Sequence, residues 1–409
     1  MLAYSLGIIL CAASIASCGK SPLANSFDYR DFENAPTLSL SEVFEPIRFI
    51  PLKTDEAYNL SNILKVCMSE DSFYLLTVNP LGIFRFALDG SLISTISVEG
   101  RAEGEYLIPT DIAYSKADNV LYVADIAKGI MKFSSDGTYL STISTTTKYK
   151  NRQFVVSDSG SIIENVLNII GNERDAIVEL SQEGDTLSYI PNTFFFDCES
   201  PFALPNHHSL RKYADEILYN PACSDTIYSY KAGRLTPKYS FFFPHSVTKE
   251  DLRDFNSNVS DTQFIVEYAE DNKNLYLSIF DRNWDYKHFV LKKSDGIIYK
   301  GDFRLSDSFG TEFSPRWQCE GWLIDVLDPS TINYAYYRDI TDEARQKAYT
   351  YLSSVGVDGI TAESDPIIML AKTKKQCCSG GLKVKSKLFP CCSPRQYEQV
   401  RLPSDRALG

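Results

Sequence analysis

Ile83-Phe-Arg-Phe-Ala-Leu-Asp-Gly-Ser-Leu-Ile-Ser-Thr-Ile96 recurs as Ile130-Met-Lys-Phe-Ser-Ser-Asp-Gly-Thr-Tyr-Leu-Ser-Thr-Ile143. A weaker third copy is Ile177-Val-Glu-Leu-Ser-Gln-Glu-Gly-Asp-Thr-Leu-Ser-Tyr-Ile190. The copies begin 47 residues apart, at 83, 130 and 177, and the glycines Gly90, Gly137 and Gly184 keep that spacing. Each copy is an apolar strand, a turn and a second strand. Asp-Gly supplies the positive φ that a tight hairpin needs. A period in the forties made of such units predicts a β-propeller, an all-β ring of blades.

Working outward, the first blade runs from about Ile63 to Ser97. The second holds Asn119–Asp125 and Gly129–Phe133, and the third Gly160–Ile163 and Ala176–Leu180. The fourth holds Glu216–Tyr219 and Asp225–Tyr230, and the fifth Asn274–Ile279 and His288–Leu291. A sixth must come from both ends. Gly321–Val326 and Pro366–Leu370 are strand-like, and Ile47–Ile50 can pair beside them. Closure follows from the cost of leaving unpaired strand edges on an open ring. The expected fold is therefore a six-bladed β-propeller over 41–372, with the N-terminal strand closing the last blade. Two short helical insertions interrupt it. Thr248–Phe255 opens on a capping-box-like Thr…Asp, and Thr341–Ser354 places Ala344, Ala348, Tyr351 and Leu352 at helical spacing.

Composition agrees. The 409 residues include 25 Tyr and 24 Phe against 4 Met, which favours pleated sheet. The net charge of −12 argues against nucleic acid as a partner, since phosphate binding needs a basic face. The charge is uneven. Nine basic and two acidic residues follow from Lys372 on, which leaves 32 basic and 51 acidic before it, or −19.

The first 17 residues carry a short apolar run, Leu6–Ser17, too short to span a bilayer and readable as a secretory signal. It ends Ile15-Ala16-Ser17-Cys18-Gly19, which resembles the bacterial lipobox. The resemblance implies that Cys18 is lipidated and becomes the first residue of the mature chain. Several acyl chains then anchor it, each buried methylene adding about 0.8 kcal/mol. Met1–Ser5 lacks the Lys or Arg usual in a signal. Residues 18–40 read as a tether. Its start has no acidic cluster of the kind that resembles a surface-export signal, so the expected location is the periplasmic side of an outer membrane. Residues 373–409 read as a basic, Cys-containing tail foreign to the propeller. Its adjacent pairs Cys377-Cys378 and Cys391-Cys392 lack the gap that lets two sulfurs share one zinc ion. Cys67, Cys198, Cys223 and Cys319 show no metal spacing either, and Cys67 reads as a buried free thiol.

No concentrated catalytic motif stands out, and no catalytic residue is assigned. Ligand-binding candidates are residues expected in loops, where aromatic, Arg and acidic groups make sugar or peptide contacts: Arg101, Glu105, Tyr106, Trp284, Arg316 and Trp317, with Tyr334. The pair His207 and His208 precedes a blade and joins them. Asp111, Asp125 and Asp158 recur near equivalent blade positions and are candidate calcium ligands, with turn-capping as the alternative role.

The chain resembles the six-bladed propeller lipoproteins of Bacteroidetes, relatives of the NHL-repeat and TolB-like propellers. The matching residues are Cys18, Ile50-Pro51-Leu52-Lys53-Thr54, Gly104-Glu105-Tyr106, Asp225-Thr226-Ile227-Tyr228 and Asp365-Pro366-Ile367-Ile368. The resemblance covers about 40–372 and implies fold and address, with no catalytic residues. The expected function is a non-catalytic binding or scaffold lipoprotein for a glycan, peptide or protein, without a cofactor. The alternative is a calcium-dependent propeller hydrolase or lyase.

Overall fold

The computed structural model describes residues 25–54, 58–144, 152–168, 170–199, 209–283, 285–306, 309–333 and 341–374. Six sheets of antiparallel strands form the six blades. Blade 1 is Ser61–Met68, Ser72–Asn79, Gly82–Ala87 and Leu92–Thr95, from the inner strand outward. Blade 2 is Pro109–Ser115, Val120–Asp125, Gly129–Ser134 and Tyr139–Ile143. Blade 3 is Arg152–Val156, Ile162–Val166, Asp175–Leu180 and Thr186–Pro191. Blade 4 is Leu210–Tyr213, Glu216–Tyr219, Thr226–Lys231 and Arg234–Phe242, and blade 5 is Gln263–Glu270, Asn274–Asp281, Tyr286–Lys292 and Ile297–Asp302. Blade 6 is Trp317–Cys319, Trp322–Leu327 and Ile367–Ala371, completed by Arg48–Pro51. The expected closure is present, with Ile368 opposite Ile50. Asp365 secures it: Thr54 donates to its carboxylate from N (2.9 Å) and Oγ1 (2.6 Å), and Leu60 N from 3.4 Å.

Packing explains why the second strands read as unbroken apolar runs. Successive side chains of a strand point to opposite faces, and each blade is covered on both. Phe73 and Leu75 pack toward blade 6, while Tyr74 and Leu76 pack toward blade 2. Leu121 and Val123 face blade 1, and Tyr122 and Ala124 face blade 3. Each junction between neighbouring blades thus has its own apolar cluster. The repeat glycines sit where a side chain would collide. Gly90 has φ +87°, and a Cβ there would lie 2.0 Å from Pro51 O. That approach lets Lys53 N donate to Gly90 O at 2.9 Å, tying the outer hairpin of blade 1 to the closing strand.

Both expected helices form, as Lys249–Arg253 and Asp342–Ser354. Thr248 and Asp251 make a full capping box on the first, and Thr341 Oγ1 accepts from Ala344 N on the second.

The tether is a correction. From Ser26 on, the stretch expected to be free is part of the propeller. Ser26–Asp28 adds to blade 4 as a fifth strand, parallel to Arg234–Phe242, and Thr37–Ser39 adds likewise to blade 5. Between them the helix Tyr29–Glu33 buries Tyr29 and Phe32, whose rings lie among Phe241, Phe243 and Phe289. Burial of two aromatic side chains, at about 1.5–3 kcal/mol for a large one, outweighs the freedom of a linker. Cys18 and the signal segment lie outside the described residues, as does the tail from 375. No described helix is long and apolar enough to cross a membrane.

Candidate functional site

The inner strands surround a central channel. Where they turn into the second strands, the channel opens into a cavity of about 730 Å³ lined by all six blades. Blade 1 contributes Lys65–Cys67, blade 2 Ile112–Ser115, blade 3 Phe154–Val156 and blade 4 Leu210–Tyr213. Blade 5 contributes Glu270, and blade 6 Trp317–Cys319.

Beneath the cavity lies a belt of charge. In blades 1, 2 and 5 the inner strand breaks register just before a charged residue, between Ile63 and Lys65, Pro109 and Asp111, and Ile265 and Glu267. A bulge of this kind re-aims the side chain that follows. Lys65 Nζ lies 3.1 Å from Asp111 Oδ1, and Asp111 also accepts from Ile112 N (2.9 Å) and Phe154 N (3.1 Å). Arg211 donates from Nε to Tyr268 O (3.0 Å) and from Nη2 to Glu267 Oε2 (2.5 Å). Arg316 donates from Nε to Asp325 Oδ1 (2.6 Å) and from Nη2 to Val326 O (2.7 Å). Glu267 Oε1 is buried with no hydrogen-bond partner. Burial pushes the Glu267 carboxyl up to about 8, against the pull of Arg211, Arg316 and Lys65. The pair with Arg211 does not recover the cost of taking a charge out of water.

The rim is cross-linked between blades. Lys116 of blade 2 reaches Glu70 of blade 1 (2.8 Å) and Glu320 of blade 6 (3.4 Å). Lys212 of blade 4 pairs with Asp158 of blade 3 at 2.6 Å. Gln318 of blade 6 accepts from Glu270 N and donates to Lys212 O, both at 2.9 Å, so one side chain joins three blades. Lys238 and Lys293 converge on Glu270. The Gln318 bridge and the buried Glu270 carboxylate tie blades 4, 5 and 6 at the wall, whereas the exposed Lys116 and Lys212 pairs add little. Cys67 and Cys319 line the same wall, and burial raises both thiols, Cys319 to about 11 and Cys67 well above the ordinary thiol value. They are neutral side chains here, without the thiolate that nucleophilic chemistry requires.

The sequence candidates scatter. Arg101 and Glu105 lie in the crossing from blade 1 to blade 2, which enters the inner strand of blade 2 at the end away from the mouth. Arg101 is exposed there, and Glu105 Oε2 accepts from Ala102 N at 2.7 Å, which caps the loop. Tyr106 is 3% exposed and packs between blades 1 and 2, so it is a core residue and not a loop contact. Trp317 lines the cavity wall, but it is 2% exposed and packs at the junction of blades 6 and 1. Arg316 stacks over Trp317 at 4.8 Å and belongs to the belt. His207, His208, Trp284 and Tyr334 lie outside the described residues.

Of the calcium candidates, Asp111 is in the belt and Asp158 is on the rim. Asp125 is fully buried and accepts from the backbone N–H groups of Leu107, Ile108, Ala127 and Lys128 at 2.7–2.9 Å. It is the turn-capping role that the structure gives Asp125. The three carboxylates are not brought together, and among the described residues no three His, Cys, Asp or Glu side chains are placed to hold a metal.

The belt residues Lys65, Arg211, Glu267 and Asp325 were not singled out by sequence reasoning. For Lys65 and Asp325 the signal is a single charge between apolar neighbours, Leu64-Lys65-Val66 and Ile324-Asp325-Val326; Arg211 beside Lys212 and Glu267 near Glu270 carry no such mark. Buried charges of this kind need partners, so each one implied a second somewhere across the ring.

Residues 25–372 match a family model described as a domain of unknown function, DUF4934. Among curated proteins none matches the sequence. In structure, the chain is similar to a candidate exported protein of Bacteroides fragilis, with a TM-score of 0.64 and 14% identity over 86% of this chain and 99% of that one. A DUF4221 family member from Bacteroides vulgatus gives a TM-score of 0.49 and 12% identity over 82% and 99%. A streptogramin B lyase gives 0.38 and 13% over 63% and 72%. At these identities the first likeness bears on fold alone, and the other two carry nothing further.

Proposed function

The chain belongs to the DUF4934 family, domains of unknown function, and from that starting point we propose that it is a binding propeller of the cell envelope that receives a glycan or peptide ligand in the mouth of its central channel. The observation that carries this reading is the cavity of about 730 Å³ to which all six blades contribute. That volume lies within the range of about 300–1,000 Å³ usual for small-molecule and cofactor sites. The Gln318 and Glu270 links tie blades 4, 5 and 6 at its wall, which lowers the ordering cost that falls on binding. A protein partner would present a loop or chain end to the same opening.

Attachment through a lipid on Cys18 completes the reading. It rests on the sequence Ile15-Ala16-Ser17-Cys18. A Cys18→Ala protein is expected to move from the membrane fraction to the soluble fraction; a variant that stays on the membrane argues against the lipid.

Binding is tested by probing glycan and peptide arrays with the detergent-purified full chain and retesting each hit on Ala117→Trp. Ala117 sits in the exposed turn at the mouth, where an indole would occupy the opening. Hits should vanish with the tryptophan. Hits that survive it unchanged place the ligand elsewhere.

A further inference from the structure

We propose that the floor of the channel cavity is a carboxylate-binding site, in which Lys65 and Arg211 receive the acidic end of the ligand. The proposal rests on the reading above, that the ligand occupies the channel mouth. Its own support is threefold.

The first support is placement. Lys65 and Arg211 both line the cavity, and they come from blades on different sides of the ring. A bulge precedes Lys65 on the inner strand of blade 1, and a matching bulge precedes Glu267 on that of blade 5. Bulges that break ladder pairing are retained where a side chain must be aimed. Arg211 is held ready: its guanidinium stands over the Tyr268 ring at 5.7 Å while Nε donates to Tyr268 O. Its described partners take Nε and Nη2, so Nη1 is left for an arriving oxygen. An arginine fork presented in this way matches a carboxylate.

The second support is the orphaned oxygen. Glu267 Oε2 is engaged by Arg211, whereas Oε1 is buried without a partner. With only one oxygen engaged, Glu267 makes a single hydrogen bond to Arg211 and not the two-point pair that would occupy both ends of the guanidinium fork.

The third is charge balance. The charged groups that bear most on Glu267 are Arg211 from blade 4, Lys65 from blade 1, and Arg316 and Asp325 from blade 6. Asp111 completes the belt through Lys65. With Glu267 protonated, the belt holds three cations, Arg211, Lys65 and Arg316, against two carboxylates, Asp111 and Asp325, so one carboxylate from a ligand would balance it.

The acidic end could be the C-terminus of a peptide or a uronic acid of a glycan; the chemistry is shared. The test is calorimetric titration of the full chain with two matched pairs. One pair is triglycine and its C-terminal amide, and the other is digalacturonate and its dimethyl ester. In at least one pair the acid should bind about tenfold or more tightly than its neutral partner, the scale expected for charge-assisted hydrogen bonds in a desolvated site. Which pair responds identifies the source of the carboxylate. Lys65→Met should weaken that acid by a similar factor and leave the neutral compound unchanged. Equal binding of acid and neutral compound, or no binding of either acid, overturns the proposal. Because the pairs are compared on the unmutated protein, this holds even where Lys65→Met perturbs folding. Neutral compounds that bind as well as acids, and lose binding in Ala117→Trp, would overturn the carboxylate floor and leave the channel-mouth reading standing.

Discussion

Replacing Glu267 with glutamine should change how stability responds to pH. The carboxyl is buried, and its pKa is raised from the ordinary 4.5 to about 8. The native protein therefore keeps a proton that the unfolded chain has already lost between those values. For a group whose folded pKa is raised, the contributed stability is complete below the unfolded value and is lost as pH rises through the folded value. Each pH unit in that window corresponds to about 1.4 kcal/mol, so the full span is at most about 5 kcal/mol. Glutamine has the same shape, no charge, and an amide that still accepts from Arg211, so it removes the titration without opening a cavity. Urea unfolding followed by tryptophan fluorescence, from about pH 5 to about pH 8.5, reads both proteins. Their midpoints should lie close together at the acid end and separate toward pH 8, with the glutamine variant the more stable. Parallel profiles across the window would refute the reasoning, since they would mean that Glu267 is ionised at the acid end as well and is fully compensated by Arg211 and its neighbours.

Two further substitutions test the frame that positions the site. Asp365→Ala removes the acceptor shared by Thr54 N, Thr54 Oγ1 and Leu60 N, and should cost about 1–3 kcal/mol; hydrogen exchange should quicken first in Arg48–Pro51, and uniform exchange around the ring would contradict its role in closure. Asp125→Ala strands four backbone donors beside a buried site and should cost at least about 3 kcal/mol by thermal or urea melting; a loss below about 1 kcal/mol, or a calcium-dependent melt of the unmutated protein, would show that the carboxylate serves another purpose.

The ring was legible where residues encode it locally. Gly90 and Gly137 mark hairpins because only their backbone conformation fits, and Phe73-Tyr-Leu-Leu76 reads as a strand covered on both faces. The closing strand was legible too, since Ile47–Ile50 had no other edge to satisfy. The parallel additions Ser26–Asp28 and Thr37–Ser39 were not, because a strand of three residues is held by backbone pairing and leaves no alternation to read. The aromatics Phe27, Tyr29 and Phe32 were the visible hint that this stretch packs. The loop candidates drew attention for their residue types. Tyr106 and Trp317 show the weakness of that criterion, since a large aromatic near a strand end is as useful between blades as in a loop. The belt lay hidden for a different reason. Lys65, Arg211, Glu267 and Asp325 fall on four blades, and nothing in a linear sequence says that positions so far apart meet on one axis. The burial of Lys65 and Asp325 between apolar neighbours was the readable part; the convergence of all four required the ring.

The central claim is that the ligand enters the channel mouth, and the most direct measurement compares two variants on one array hit. Ala117→Trp fills the mouth, whereas Arg101→Ala removes an exposed side chain from the loop that leads into blade 2 at its other end. Titrated side by side, the first should abolish binding and the second should leave the affinity unchanged. Loss of affinity in Arg101→Ala with full binding in Ala117→Trp would contradict the account and move the site to the opposite face of the propeller.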